Sequence, residues 1–217
     1  THMLKPYKDR VLSTYALSFT VIEKASLNAT ALIAERKKAR AAVATAISFP
    51  FKWTVDTTKF SFITFKGYEQ GFKPSDATGL NRMYYDRSKP FTKQVRFFNV
   101  FNASNFVDAP AAYIIPQGWY GVIDLLKLNN VQMQQFKNDT LIDVEAYHID
   151  DYKSSPRPYE KHHKNSGVKV SALNQKIRFL KGDHIIWLNQ PANRYLVEML
   201  EPTGDDSFFA WNFFDGI

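Results

Sequence analysis

The chain contains no cysteine. Disulfide frameworks, thiolate zinc sites and cysteine nucleophiles are therefore excluded. No apolar run reaches the ~18 residues of a helical membrane span, and no signal-peptide pattern is visible. Histidine is scarce, with five residues: His2, His148, His162, His163 and His184. None has Glu three positions later, and His-Glu-x-x-His is absent, so neither common arrangement of paired zinc ligands is encoded. A Gly-x-Ser-x-Gly elbow and a phosphate-binding Gly-x-x-x-x-Gly-Lys-Ser/Thr loop are missing too.

What is abundant is aromatic and basic. The 217 residues include 18 Phe, 11 Tyr and 4 Trp, and 45% are hydrophobic. This is a folding composition, and its aromatic bias favours β-rich packing. A chain of this length is enough for one large domain, or one domain plus a piece of another, and buries roughly 70% of its unfolded surface. Of the net charge of +7, residues 1–50 carry +5. The rest has only a small excess, which is weak for a phosphate-binding stripe. Adjacent aromatics such as Tyr84-Tyr85 and Phe97-Phe98 also point to opposite faces of a strand. No nucleic-acid partner is expected. The basic excess is instead what a missing acidic segment would offset.

Residues 4–47 read as helix. Pro6 suits the first turn, and Val11, Leu12, Tyr15, Phe19 and Ile22 recur at helical spacing. Ser26-Leu27-Asn28 is a break, with Asn28 placed to cap a second, alanine-rich helix that ends at Phe49-Pro50. Phe51–Thr57, Phe60–Tyr68 and Thr92–Phe101 then read as strands, with Gly67, Gly71, Pro74, Gly79 and Pro90 as turn markers. Ala112–Ile115, a helix through Trp119, Val122, Ile123, Leu125 and Leu126, and Val131–Phe136 form a βαβ unit with a parallel pair. Thr140–His148 alternates as a strand. Tyr152–Gly167 is a loop. Val168–Ser171, Lys176–Leu180 and Ile185–Leu188 are further strands, and Pro191–Leu200 is a helix. The expected class is α+β: a long N-terminal helix or helix pair, then a β-rich region containing a βαβ unit. The expected divisions are 1–48 and 49–217, with a sub-boundary near 108–111.

Two reversed Glu/His pairs remain as candidates for chemistry. Glu145 and His148 lie three apart in a strand, on opposite faces, and cannot share a metal. Glu160, His162 and His163 lie in a basic loop and read as solvated. Asp150-Asp151 and Asp205-Asp206 adjoin turn-like sequence and read as solvated turns. Three Asn-x-Ser/Thr triplets, at Asn28, Asn102 and Asn138, are short patterns that arise often by chance.

Longer strings carry a resemblance. Thr1-His2-Met3-Leu4-Lys5-Pro6-Tyr7-Lys8, Phe65-Lys66-Gly67-Tyr68-Glu69, Ala112-Tyr113-Ile114-Ile115-Pro116-Gln117-Gly118-Trp119 and Pro156-Arg157-Pro158-Tyr159-Glu160-Lys161-His162 are four of them. Asn189-Gln190-Pro191-Ala192-Asn193-Arg194 and the run from Leu200 to Asp215 are two more. Together they resemble the C-terminal part of bacterial carboxypeptidase A-like zinc metallopeptidases, over nearly the whole chain. The resemblance implies that residues 1–48 end the catalytic domain and that 49–217 form an accessory region. It places the zinc ligands upstream and the general-base glutamate just before Thr1; a start at Thr1 and a stop inside the aromatic cluster Trp211–Ile217 independently make both ends read as cuts. No catalytic or metal-binding residue carries over, and no zinc is expected on these residues. His2 is expected at the rim of the parent's active site. The parent would be a secreted or periplasmic hydrolase of peptide or protein substrates; the accessory region's own partner is not implied. The competing expectation is a non-catalytic peptide- or glycan-binding module marked by exposed aromatics among Trp53, Tyr84, Tyr85 and Trp119.

Overall fold

The computed structural model describes residues 5–215. It is α+β, as expected, and divides into two compact units. The first comprises the described residues up to Arg36 together with Thr54–Asn102; the second comprises Lys37–Trp53 and the residues from Ala103 onward. The division runs through the second helix. Residue 48 opens the first strand, and residues 109–111 join β4 to β5.

In the first unit, α1 spans Tyr7–Leu27 and leads into α2, Ala29–Thr45. Pro6 sits just before the first turn, and its carbonyl accepts the Arg10 N–H at 3.1 Å. Thr14 and Thr20 return their hydroxyls to carbonyls one turn back, at 2.9 and 2.8 Å, which occupies groups that otherwise compete with the helix. The break falls at Asn28, but its side chain works backwards. Nδ2 donates to the Lys24 carbonyl at 2.8 Å, so it closes α1 instead of opening α2. No residue of α1 or α2 is buried: Tyr15, Phe19 and Ile22 are 69%, 59% and 68% exposed.

The same unit carries a long antiparallel hairpin, β2 (Ser61–Pro74) with β3 (Asn81–Phe97). Here the glycine and proline markers mislead. Gly67, Gly71 and Pro90 lie inside strands, and only Gly79, at φ 69°, sits in the turn. The glycines of β2 make room for rings of β3. A Cβ on Gly67 would fall 2.6 Å from Phe91, and one on Gly71 2.7 Å from Tyr84. Lys93 and Lys73 lie over those same rings, at 4.5 and 5.4 Å. Arg87, Ser88 and Lys89 bulge out opposite the Tyr68–Glu69 step, and Arg87 pairs with Asp9 of α1.

β1 (Ser48–Val55) pairs with β4 (Phe101–Asp108), most of both strands belonging to the second unit. A three-stranded sheet runs β5–β9–β6, from Ala112–Ile115, His184–Trp187 and Gln134–Gln135. The strand–helix–strand succession is present, with α3 at Tyr120–Leu128 between β5 and β6. Its two strands run the same way but do not pair, because β9 lies between them, antiparallel to both. The expected strand Val131–Phe136 shrinks to two residues, since Val131 turns into the core instead. β7 (Thr140–Ser154) and β8 (Asn165–Phe179) form a second long hairpin, so the expected loop is shorter and the two short strands expected after it are one. Asp150-Asp151, expected in a turn, lies within β7.

The core packs Ile115, Val122, Leu126, Ile186, Leu196 and Phe208 between this small sheet, α3 and α4 (Asn193–Leu200). Asn193 is completely buried. Its Nδ2 donates to the carbonyls of Val43, Ala44 and Leu188 at 3.2–3.3 Å, and its Oδ1 accepts the Gln190 N–H at 3.2 Å. Gln190, also buried, spans the Gln132 backbone: Oε1 accepts its N–H at 2.8 Å and Nε2 donates to its carbonyl at 3.1 Å. Two amides thus satisfy the ends of α2, β9 and the segment leading to β6. Asn193→Ala is expected to lower stability by about 1–3 kcal/mol, because buried carbonyls lose their donor. Asn193→Asp is expected to cost more, placing a carboxylate against those same oxygens. Urea denaturation of the three proteins measures both effects.

Candidate functional site

His2 lies outside the described residues. The other histidines are dispersed. His148 Nδ1 is 3.0 Å from Asp150, and Ser171 donates to both oxygens of that carboxylate at 2.7 and 2.8 Å. These hydrogen bonds hold the Asp150 carboxyl below its usual range, His148 first. The three residue types are those of a hydrolytic triad, but the carboxylate stands between the other two, so His148 is not placed to take the serine proton. Glu145 sits opposite Asn174, three positions along β7 from His148, which is opposite Ser171. His163 Nδ1 lies 2.8 Å from the Ser155 carbonyl, and His184 is buried in β9. Among the described residues no three His, Asp or Glu side chains are placed to hold a metal ion. These residues do not fit a zinc cage.

What the second unit does assemble is an aromatic platform. Tyr159 and His162 exchange both backbone hydrogen bonds at 2.9 Å across a two-residue turn. Glu160 and Lys161 in that turn have φ of 49° and 74°. Positive φ at both central positions is the hairpin turn usually given to Asn-Gly, so the conformation is held by its surroundings. Asn212, at φ 63°, is a third such position, between Trp211 and Phe213. The two strained points bring rings together. Trp211 lies 6.3 Å from Tyr159 and 5.5 Å from His162, and Phe213 stacks on His162 at 5.7 Å.

Charge is pinned to the same ring. Lys164 Nζ lies 4.6 Å from the Trp211 ring centre and 2.6 Å from Asp206, which also accepts the indole N–H at 3.1 Å. The Lys164 contact and then the indole N–H hold the Asp206 carboxyl below its usual range. Lys164 also borders a groove of about 420 Å³, lined by Lys52, Asn165, Ser166, Thr203 and Asp205 among others. Ring faces beside a polar groove with both charges suit contacts to a peptide or a sugar ring. The sequence marks pointed elsewhere. Trp53 and Tyr85 are exposed, but Tyr84 covers Gly71 and Trp119 is half-buried, 4.8 Å from Phe214. The strings Pro156–His162 and Leu200–Asp215 contain the platform, but nothing in their periodicity says that they meet.

Beneath the surface, Glu201 is 5% exposed and accepts the Tyr113 hydroxyl at 2.6 Å; Tyr147 lies within the field of the same carboxylate. Burial first, then the Glu201 charge, pushes both phenols above their usual range. Asp183 is buried too and accepts the backbone N–H groups of Gln117 and Leu180 at 2.9 and 2.8 Å. Both carboxylates serve the fold.

No family model, no curated protein and no solved structure matches this chain.

A phenol whose folded pKa is raised keeps its stabilising effect below the unfolded value and loses it as pH climbs through the folded one. The protein's stability is therefore expected to fall as pH rises past about 10. The decline should be shallower in Tyr147→Phe, which has no proton to lose. Urea midpoints between about pH 8 and 11 measure this.

Proposed function

We propose that the chain is the C-terminal, non-catalytic part of a zinc carboxypeptidase-like hydrolase, secreted or periplasmic, whose metal site and general base are supplied by residues outside these 217. The observation that carries the reading is the uncovered apolar stripe of α1. Val11, Leu12, Tyr15, Phe19 and Ile22 repeat at the spacing of a core-facing helix, yet every one is exposed. A helix that ends an α/β peptidase domain has a sheet to cover it. Uncovered surface extends to the β2–β3 hairpin, where Phe62, Phe65 and Phe72 are exposed and residues 59–98 hold eight Lys/Arg against three Asp/Glu. Two-stranded hairpins are marginal alone, so this one too calls for a covering surface, and its charge calls for an acidic one. The family-like strings fall on Ile115, Gln190, Asn193, Glu201 and Phe208, the buried framework of the second unit.

A second reading, a peptide- or glycan-binding module without catalysis, is favoured by the Trp211 platform and its adjoining groove. The two readings separate on the reading frame before Thr1. The peptidase reading expects a His-x-x-Glu pair, a later His and a glutamate directly before Thr1; their absence overturns it and leaves the binding module. The purified chain is expected to release no C-terminal residue from peptides with added zinc. Zinc-dependent release, followed by chromatography, would show that these residues hold their own catalytic machinery.

A further inference from the structure

The shortest strand of the three-stranded sheet pairs beside a buried imidazole. β6 is only two residues long, with Gln134 opposite Ile185 and Gln135 opposite His184. Two flanking backbone bonds complete the seam: Phe136 N–H to the Asp183 carbonyl and Gly182 N–H to the Phe136 carbonyl, both 2.9 Å. His184 opens β9 and is 8% exposed. Its Nε2 lies 3.3 Å from the Gln135 side-chain amide, while its Nδ1 is buried with no partner among the described residues.

A neutral imidazole accepts the Gln135 N–H at Nε2 and leaves one N–H, at Nδ1, without an acceptor, whereas an imidazolium has two N–H groups that need acceptors and none here. The Gln135 amide presents its Nε2, itself a donor, to the ring, and Nδ1 has nothing. The charged groups acting on the ring are Lys127 of α3, which opposes a second positive charge, and Asp183, which favours it. Asp183 is already committed to the Gln117 and Leu180 N–H groups. β5 and β6 themselves present Ile115 and Gln135 at this level, neither ionisable.

We propose that β6 is a proton-released flap: protonation of His184 on mild acidification unfastens Gln134–Phe136 from β9 while the β5–β9 pair stays closed. Opening hydrates the ring and gives both N–H groups water. Burial holds the closed-state imidazole below its ordinary pKa, Lys127 adding to the effect. The open form therefore binds the extra proton, and opening gains ground as pH falls below about 6.5, by up to about tenfold per pH unit. The β5–β9 side does not depend on the ring's charge, because neither ring nitrogen is bonded to β5, and the Leu188 N–H to Ala111 carbonyl bond at 3.1 Å lies at the far end of β9 from His184.

Native-state amide exchange of the whole chain, corrected for intrinsic rates, tests this at about pH 7, 6 and 5. The Phe136 and Gly182 amides are expected to lose protection by about tenfold or more between pH 7 and 5, with Leu188 unchanged. His184→Gln should remove that dependence and His148→Gln should keep it. An unchanged fall in His184→Gln, or none in the native protein, overturns the proposal. Should His184→Gln fail to fold, an NMR titration of the native imidazoles decides: a His184 pKa at or above about 6.5 overturns it and a lower one supports it.

Discussion

Two buried primary amides hold the second unit in register. A small sheet with a two-residue edge strand and two short helices packed with it has little apolar area with which to fix where its segments end. Asn193 and Gln190 do that by geometry. Each has donor and acceptor atoms on one rigid plane, so each can meet backbone groups from several segments at once. A buried amide with every bond made is neutral in cost to solvent and demanding in position. The end of α2, the exit of β9 and the entry of α4 are mutually defined by those bonds. The Trp211 platform, in turn, sits on the segment that follows α4.

The two units differ in how their side chains are used. In the second, strings such as Asn189–Arg194 and Ala112–Trp119 place residues in the core and its polar fasteners. In the first, aromatic and aliphatic residues on α1 and on both faces of the β2–β3 hairpin meet solvent. Glycines under rings and cations over rings make the hairpin self-consistent as a sheet, yet they bury little. Local order comes here without burial, which is why a covering surface is proposed for it.

Much of this was legible from the residues. Helical spacing located α1, alanine-rich composition located α2, and alternation located β7, because each signal belongs to one element alone. The failures have physical causes. Gly67 and Gly71 read as turns, but they are small because Phe91 and Tyr84 lie across them, a fact belonging to the opposite strand. The parallel pair expected of β5 and β6 was displaced by β9, which arrives much later in the chain. The platform was invisible because Tyr159 and Trp211 are distant in sequence and meet only through positive-φ residues, none of them glycine. The buried amides of Gln190 and Asn193 have no periodic signature; only the resemblance drew attention to their string.

The β7–β8 hairpin has a consequence for the order in which the chain acquires its structure. It is inserted between β6 and β9, two strands that must find each other, and its base pairs Thr140 with Phe179. Pairing of this kind closes locally, from the turn outward, and forms faster than contacts distant in sequence. Once zipped, it leaves only residues 136–139 and 180–183 between its base and the sheet. The loop whose closure would otherwise oppose the sheet is then largely removed, and its entropy cost with it. Shortening that hairpin symmetrically would leave the refolding rate nearly unchanged, whereas weakening the rungs at its base would slow the arrival of β9 between its neighbours.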